Sequence, residues 1–315
     1  MSKLDDEKDF VFPMRVQVAP GSEAEYRHYR NALRRSGERF KREALAAGVS
    51  ASPQDDLIFR GGKTLPRMAF QNIYLGRAND FASGDVESID NAITRLMRDE
   101  RLQSIIQQYF PGKKLEYDIA KSVVLDENRK NEMDEPDVQN KVIDLFDNNL
   151  IVASDLDRTI FNLVLAPDTV LKLNNSSSRN GLGGYHGSVH FQRGGQTRTL
   201  YYSANVYSAV RSGQRNGIPF FSTPWKNVVC TIYHELMESQ TDPDVGDAIR
   251  TGNRNFIGFN SRFGQEIGDQ PIAANSLDKV FKEVMTMPGP TATPMQFMFS
   301  NAVLGAEGPI AKPHA

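Results

Sequence analysis

The stretch Trp225-Lys226-Asn227-Val228-Val229-Cys230-Thr231-Ile232-Tyr233-His234-Glu235-Leu236-Met237-Glu238-Ser239 decides how the rest of the chain is read. Thr223-Pro224 just before it is a cap followed by a proline suited to the first helical turn. Val228, Val229, Cys230, Ile232 and Tyr233 leave little polar surface, the mark of a helix buried on most sides. His234 and Glu238 stand four residues apart, so on a helix they share one face and reach the same point in space. Glu235 points about 100° away around the axis. This copies the zinc-hydrolase helix, where two side chains at this spacing hold the ion and the intervening Glu takes a proton from metal-bound water. Here the fifth position is Glu instead of His, and a carboxylate ligates zinc at about the same distance as an imidazole. Alone, the pattern occurs by chance on many exposed helices. At the end of a buried one, an imidazole and two carboxylates need partners or a metal.

Working outward, Thr241-Asp242-Pro243 stops the helix, and Gly264-Gln265-Glu266-Ile267-Gly268-Asp269 lies in a glycine-rich loop that can return a further carboxylate. Upstream, Gly183-Gly184-Tyr185-His186-Gly187-Ser188-Val189-His190 places two histidines in or beside a flexible loop spanning Asn174 to Gly184. His186 reads equally as a ligand or as the hydrogen-bond partner of a carboxylate. His190, alternating into a strand, reads as structural.

Strands are expected near Phe10–Val18, at Ala69–Leu75 closed by Gly76, at Lys121–Leu125, at Thr159–Leu165 and at Leu200–Val206. Helices are expected at Ser88–Met97 with a continuation to Tyr109, at Asp137–Leu150 and at Ser276–Met285. Ser22 with Glu25 has capping-box spacing and opens an Arg-rich helix over Tyr26–Ala47, whose interleaved glutamates make it a solvated, salt-laced face. The expected fold is α/β or α+β, a zincin-like mixed sheet with a metal-site helix and long site-bearing loops. Residues 1–56 are expected as an N-terminal helical extension and 57–315 as the main domain.

Composition narrows the partners. The 315 residues are 39% hydrophobic and 24% charged with a net charge of -2, an ordinary globular balance with no nucleic-acid footprint. No run approaches the roughly twenty apolar residues of a membrane span. A single cysteine, Cys230, forbids an intrachain disulfide, and the charged N-terminus lacks an apolar signal region, so a cytoplasmic location is expected.

Three elements in order, Gly184-Tyr185-His186-Gly187, then His234-Glu235-x-x-Glu238-x-x-Thr241-Asp242-Pro243, then Gly264-x-Glu266-Ile267-Gly268-Asp269, resemble the exordium or phosphate-induced protein family of plants and its bacterial relatives. Phe59-Arg60-Gly61-Gly62 and Gln296-x-x-Phe299-Ser300-Asn301 match more loosely, and the resemblance runs from about Ile58 to Asn301. The chain has Leu182-Gly183 and Gln270-Pro271 where such relatives carry cysteines. The resemblance implies a metal site, with zinc the expected ion and calcium an alternative. His234, Glu238 and Glu266 are the expected ligands, joined by Asp269 or His186.

Two functions follow. In one, Glu235 is the general base of a metal-dependent hydrolase acting on a peptide, protein or other acyl substrate. In the other, the protein is a non-catalytic exordium-like one whose structural metal supports binding of a carbohydrate or protein partner.

Overall fold

A computed structural model describes residues 15–28, 56–151 and 153–314. The long Arg-rich helix expected from Tyr26 therefore lies outside the described residues beyond His28. Its start is described: the Glu25 amide donates to Ser22 Oγ (3.1 Å) and the Gly21 amide to Glu25 Oε2 (2.6 Å).

The fold is mixed α/β, built on a seven-stranded sheet. In chain order its strands are β1 (Val16–Val18), β2 (Arg67–Leu75), β3 (Glu116–Ile119), β4 (Val123–Val124), β5 (Thr159–Leu165), β6 (Leu182–Arg193) and β7 (Gln196–Asn205). Across the sheet the order is β1-β6-β7-β5-β2-β3, with β4 also beside β2. β6 runs antiparallel to both β1 and β7, while β7, β5, β2 and β3 run parallel. The N-terminal strand β1 is thus an edge of the same sheet as the strands after residue 57.

Alternation along the parallel strands divides the core. Phe70 and Tyr74 of β2 and Ile160 and Val164 of β5 face helices α1 (Asp85–Arg98), α2 (Glu100–Ile106) and α4 (Pro224–Thr241). Ile73, Leu75, Phe161, Leu163 and Leu165 face α3 (Glu135–Asp147) on the other side. Such near-continuous apolar strands are what a sheet covered on both faces requires. α1 and α2, expected as one continued helix, are separated at Asp99, which leaves the helical region (ψ 107) and caps α2 through the Arg101 amide.

Two expectations fail. The flexible loop expected over Asn174–Gly184 stops short: Leu182 onward, with His186, lies inside the twelve-residue strand β6. The glycines serve close approach. A Cβ on Gly184 would stand 2.7 Å from Thr231 Cγ2 of α4, and one on Gly183 2.5 Å from Gln17 Oε1. Ser276–Met285 is not one helix either. A single turn, Leu277–Val280, gives way to strand β8 (Phe281–Thr286), which pairs antiparallel with β9 (Thr291–Gln296). Helical periodicity there is overridden by the hairpin ladder from Phe281–Gln296 to Thr286–Thr291. The strand expected over Lys121–Leu125 is reduced to Val123–Val124.

Candidate metal centre

α4 begins with Pro224 at its first turn and is buried from Asn227 to its end. Its last turns lie over β6, where the glycines admit them. Register places His186 opposite Ser203, Ser203 opposite Asn162, and Asn162 opposite Asn72, so one polar row crosses four strands beneath the helix. The row is hydrogen-bonded: Ser203 Oγ donates to Asn162 Oδ1 (2.9 Å) and Asn162 Nδ2 to Asn72 Oδ1 (2.9 Å). Its outer end is Asp90 of α1, which accepts from Asn72 Nδ2 at 2.9 Å.

All six side chains expected at the site come together, and Asp242 joins them. His186, His234, Glu235, Glu238, Asp242, Glu266 and Asp269 are each 0% exposed. His234 Nε2 lies 3.0 Å from Glu238 Oε1 and 3.7 Å from Asp269 Oδ1. His186 Nδ1 lies 3.3 Å from Glu235 Oε2 and 3.4 Å from Glu238 Oε2, and its Nε2 is 3.9 Å from Glu266 Oε1. The Asp269 amide donates to Glu238 Oε1 (3.1 Å), tying the downstream loop to the helix. Two sets of three residues could each hold a metal ion: His234, Glu238 and Asp269, and His186, Glu238 and Glu266.

The far nitrogen of each histidine is engaged. Gln296, at the end of β9, donates through Nε2 to the Gly268 carbonyl (2.6 Å), so its Oε1 turns to His234 Nδ1 at 3.0 Å. Gln17 of β1 donates to the same Oε1 (2.9 Å) and accepts from Thr231 Oγ1 (2.7 Å). His234 Nδ1 must therefore be the donor. Likewise His186 Nε2 faces the Asp242 carbonyl oxygen (3.2 Å), an acceptor only. In each neutral ring the lone pair then sits on the inward nitrogen, which faces carboxylate oxygens. Such an outward donor behind an inward acceptor is the usual support of a metal-ligating histidine.

Without an ion, protons must fill the gap. Burial lowers both imidazoles, but the carboxylates outweigh it and push each up to about 9: Glu235 and Glu238 at His186, Glu238 foremost at His234. Burial raises Glu238 too, yet the two histidines pull it down to about 2. Burial raises Glu235 and pushes Asp242 up to about 7. Glu266, buried among other carboxylates, is driven well above the ordinary range. Neither of its oxygens accepts a hydrogen bond, and Glu235 Oε1, Glu238 Oε2 and Asp242 Oδ2 also lack a donor. Unsatisfied acceptors of this kind, completely buried, fit a cation.

His190 is separate from the cluster. It lies half exposed on β6, with Nε2 2.8 Å from Asp247 Oδ2 of α5 (Val245–Thr251) and Nδ1 2.8 Å from Thr199 Oγ1.

Sequence reasoning took Asp242 only as a helix stop, although it continues the four-residue step from His234 through Glu238. Gln17 and Gln296 carried no local signal beyond the Gln-x-x-Phe-Ser-Asn element. Among the described residues no helix is long and apolar enough to cross a membrane. Compared with protein families, curated proteins and solved structures, the chain matches none.

Proposed function

We propose that this is a divalent-metal protein of exordium-like, zincin-like build whose ion is resident and enclosed, tying α4 to β6 and to the Gly264–Asp269 loop. The observation that carries this reading is the complete burial of the donor set. Structural metal sites are closed, whereas catalytic ones keep an open position. The motifs behind the exordium resemblance support it, because their His186, His234, Glu238, Glu266 and Asp269 converge on one place. Two imidazoles among carboxylates favour zinc or another transition metal over calcium, which prefers oxygen alone. Glu235 Oε2, 3.3 Å from His186 Nδ1, would be a further carboxylate beside an ion held there.

A second reading, hydrolysis of a peptide or other acyl bond, draws on one observation. Glu235 Oε1 has no hydrogen-bond partner, and burial raises the proton affinity of this carboxyl. A bound ion would supply Lewis acidity, and Glu235 would accept and return the proton at Oε1.

Cobalt substitution separates the two. An enclosed ion exchanges slowly with chelator, and its visible spectrum stays unchanged on adding azide or a hydroxamate. A prompt spectral change shows an open position and defeats the enclosed reading. In that case Glu235→Gln should keep the metal and lower peptide turnover by at least the ~100-fold typical of losing a general base.

A further inference from the structure

We propose that the centre holds two divalent cations bridged by the Glu238 carboxylate, one beside His234 and Asp269, the other beside His186 and Glu266. The inference rests on the metal-protein reading above and extends it from one ion to a pair.

The geometry around Glu238 carries it. Its two oxygens serve different histidines: Oε1 lies 3.0 Å from His234 Nε2, and Oε2 lies 3.4 Å from His186 Nδ1. The histidines come from different elements, α4 and β6, and approach the carboxylate from its two ends. Each set of three donors is compact, with all its ligand atoms within 4.8 Å of one another. Bonds of about 2.0–2.1 Å to a tetrahedral ion place donors roughly 3.4 Å apart, so modest closing movements suffice. One carboxylate shared by both sets matches two-metal sites, where the ions stand about 3.5–4 Å apart.

Both imidazoles are prepared for ligation, not only the one on the helix motif. His234 donates outward to Gln296 Oε1 (3.0 Å), and His186 has the Asp242 carbonyl 3.2 Å from its outer nitrogen. A single ion at His234 would leave the second donor set, His186, Glu238 and Glu266, completely buried without a cation. Charge favours the pair as well. With neutral imidazoles, one divalent ion leaves three of the five buried carboxylate charges uncompensated, whereas two ions leave one.

The test counts metal on the whole chain. Protein purified without a histidine tag is stripped with EDTA, reloaded with Zn2+ or Mn2+, gel-filtered and analysed for bound metal. Two ions per chain are expected, and the Mn2+ form should give the electron paramagnetic resonance spectrum of an exchange-coupled pair. His186→Ala should bind one ion and show an isolated Mn2+ signal. Because that variant can fail to fold, the count and spectrum of the parent decide. One ion with an isolated six-line spectrum overturns the pair and leaves the single-ion reading standing. No bound ion overturns both, and two ions retained in folded His186→Ala overturns the assignment of the second site to His186.

Discussion

Gly268→Ala tests the centre through packing alone. Gly268 has φ -88° and ψ -36°, a conformation open to alanine, so the substitution adds a methyl group without backbone strain. That methyl would stand 2.7 Å from His234 Cε1 and 2.8 Å from its Cγ. Carbon atoms in good contact are about 3.5–4.0 Å apart, so the ring must retreat by roughly 1 Å. Overpacking of this kind costs about 1–3 kcal/mol. The retreat also strains the 3.0 Å bond from His234 Nδ1 to Gln296 Oε1. A buried polar group left unpaired adds about 1–3 kcal/mol. The metal-free variant should therefore lose about 2–6 kcal/mol in urea unfolding. Zinc affinity should fall about 10–100-fold, as when a supporting partner of a ligand histidine is lost. Affinity is read by competition with a chromophoric chelator. Glu283→Ala, at a surface ion pair with Lys226 away from the cluster, is the control. Parent-like stability with zinc affinity unchanged within about twofold would refute the placement of His234 as a ligand.

Two further outcomes follow from the same geometry. Glu266→Ala should weaken zinc binding by more than the 10–100-fold of a supporting residue. Glu283→Ala, which removes a surface partner of Lys226 on β8, should leave binding unchanged, and equal affinities in both variants would remove Glu266 from the ligand set. The metal-free protein should also lose thermal stability as pH rises. His186 and His234, raised to about 9 in the fold, contribute stability that is complete below the ordinary 6.5 and lost on passing 9. Ligation needs neutral imidazole, so the melting-temperature gap between loaded and stripped protein should widen over that window, and a flat stripped profile would contradict the pairing.

How far the sequence discloses this architecture depends on how local each cause is. Thr159–Leu165 is read to the residue because a short apolar run, broken only by Asn162 and closed by Ala166-Pro167, reads as a strand buried on both faces. α4 is legible from Thr223-Pro224 and the apolar run, and with it the shared face of His234 and Glu238. The Gly183-Gly184 pair misleads, since glycines that suit a loop also suit a strand pressed against a helix. Only the position of Thr231 and Gln17 tells the two apart, and that is a tertiary fact. The capping of His234 by Gln296 joins residues 62 apart, and the Gln17–Thr231 bond joins residues 214 apart. Local patterns hold no trace of such contacts. They follow from β1 and β9 being brought to the end of α4 by the sheet and the hairpin.

The alternative to a metal is a cluster of buried ion pairs, and its energetics are unfavourable. Two imidazolium ions cannot balance Glu235, Glu238, Asp242, Glu266 and Asp269, so protons must also sit on the excess carboxyls. A proton shared between Asp242 and Glu266 can satisfy that pair, yet Glu235 Oε1 has no hydrogen-bond partner. Each unsatisfied buried polar group costs about 1–3 kcal/mol, and a domain is stable by only about 5–15 kcal/mol. A fold designed by such pairs alone would gain more from apolar residues of equal volume. The Thr231–Gln17–Gln296 chain holds the proton of a neutral His234 on Nδ1. The lone pair on Nε2 then faces Glu238 and Asp269, and a cation is the partner that a lone pair among carboxylates can take.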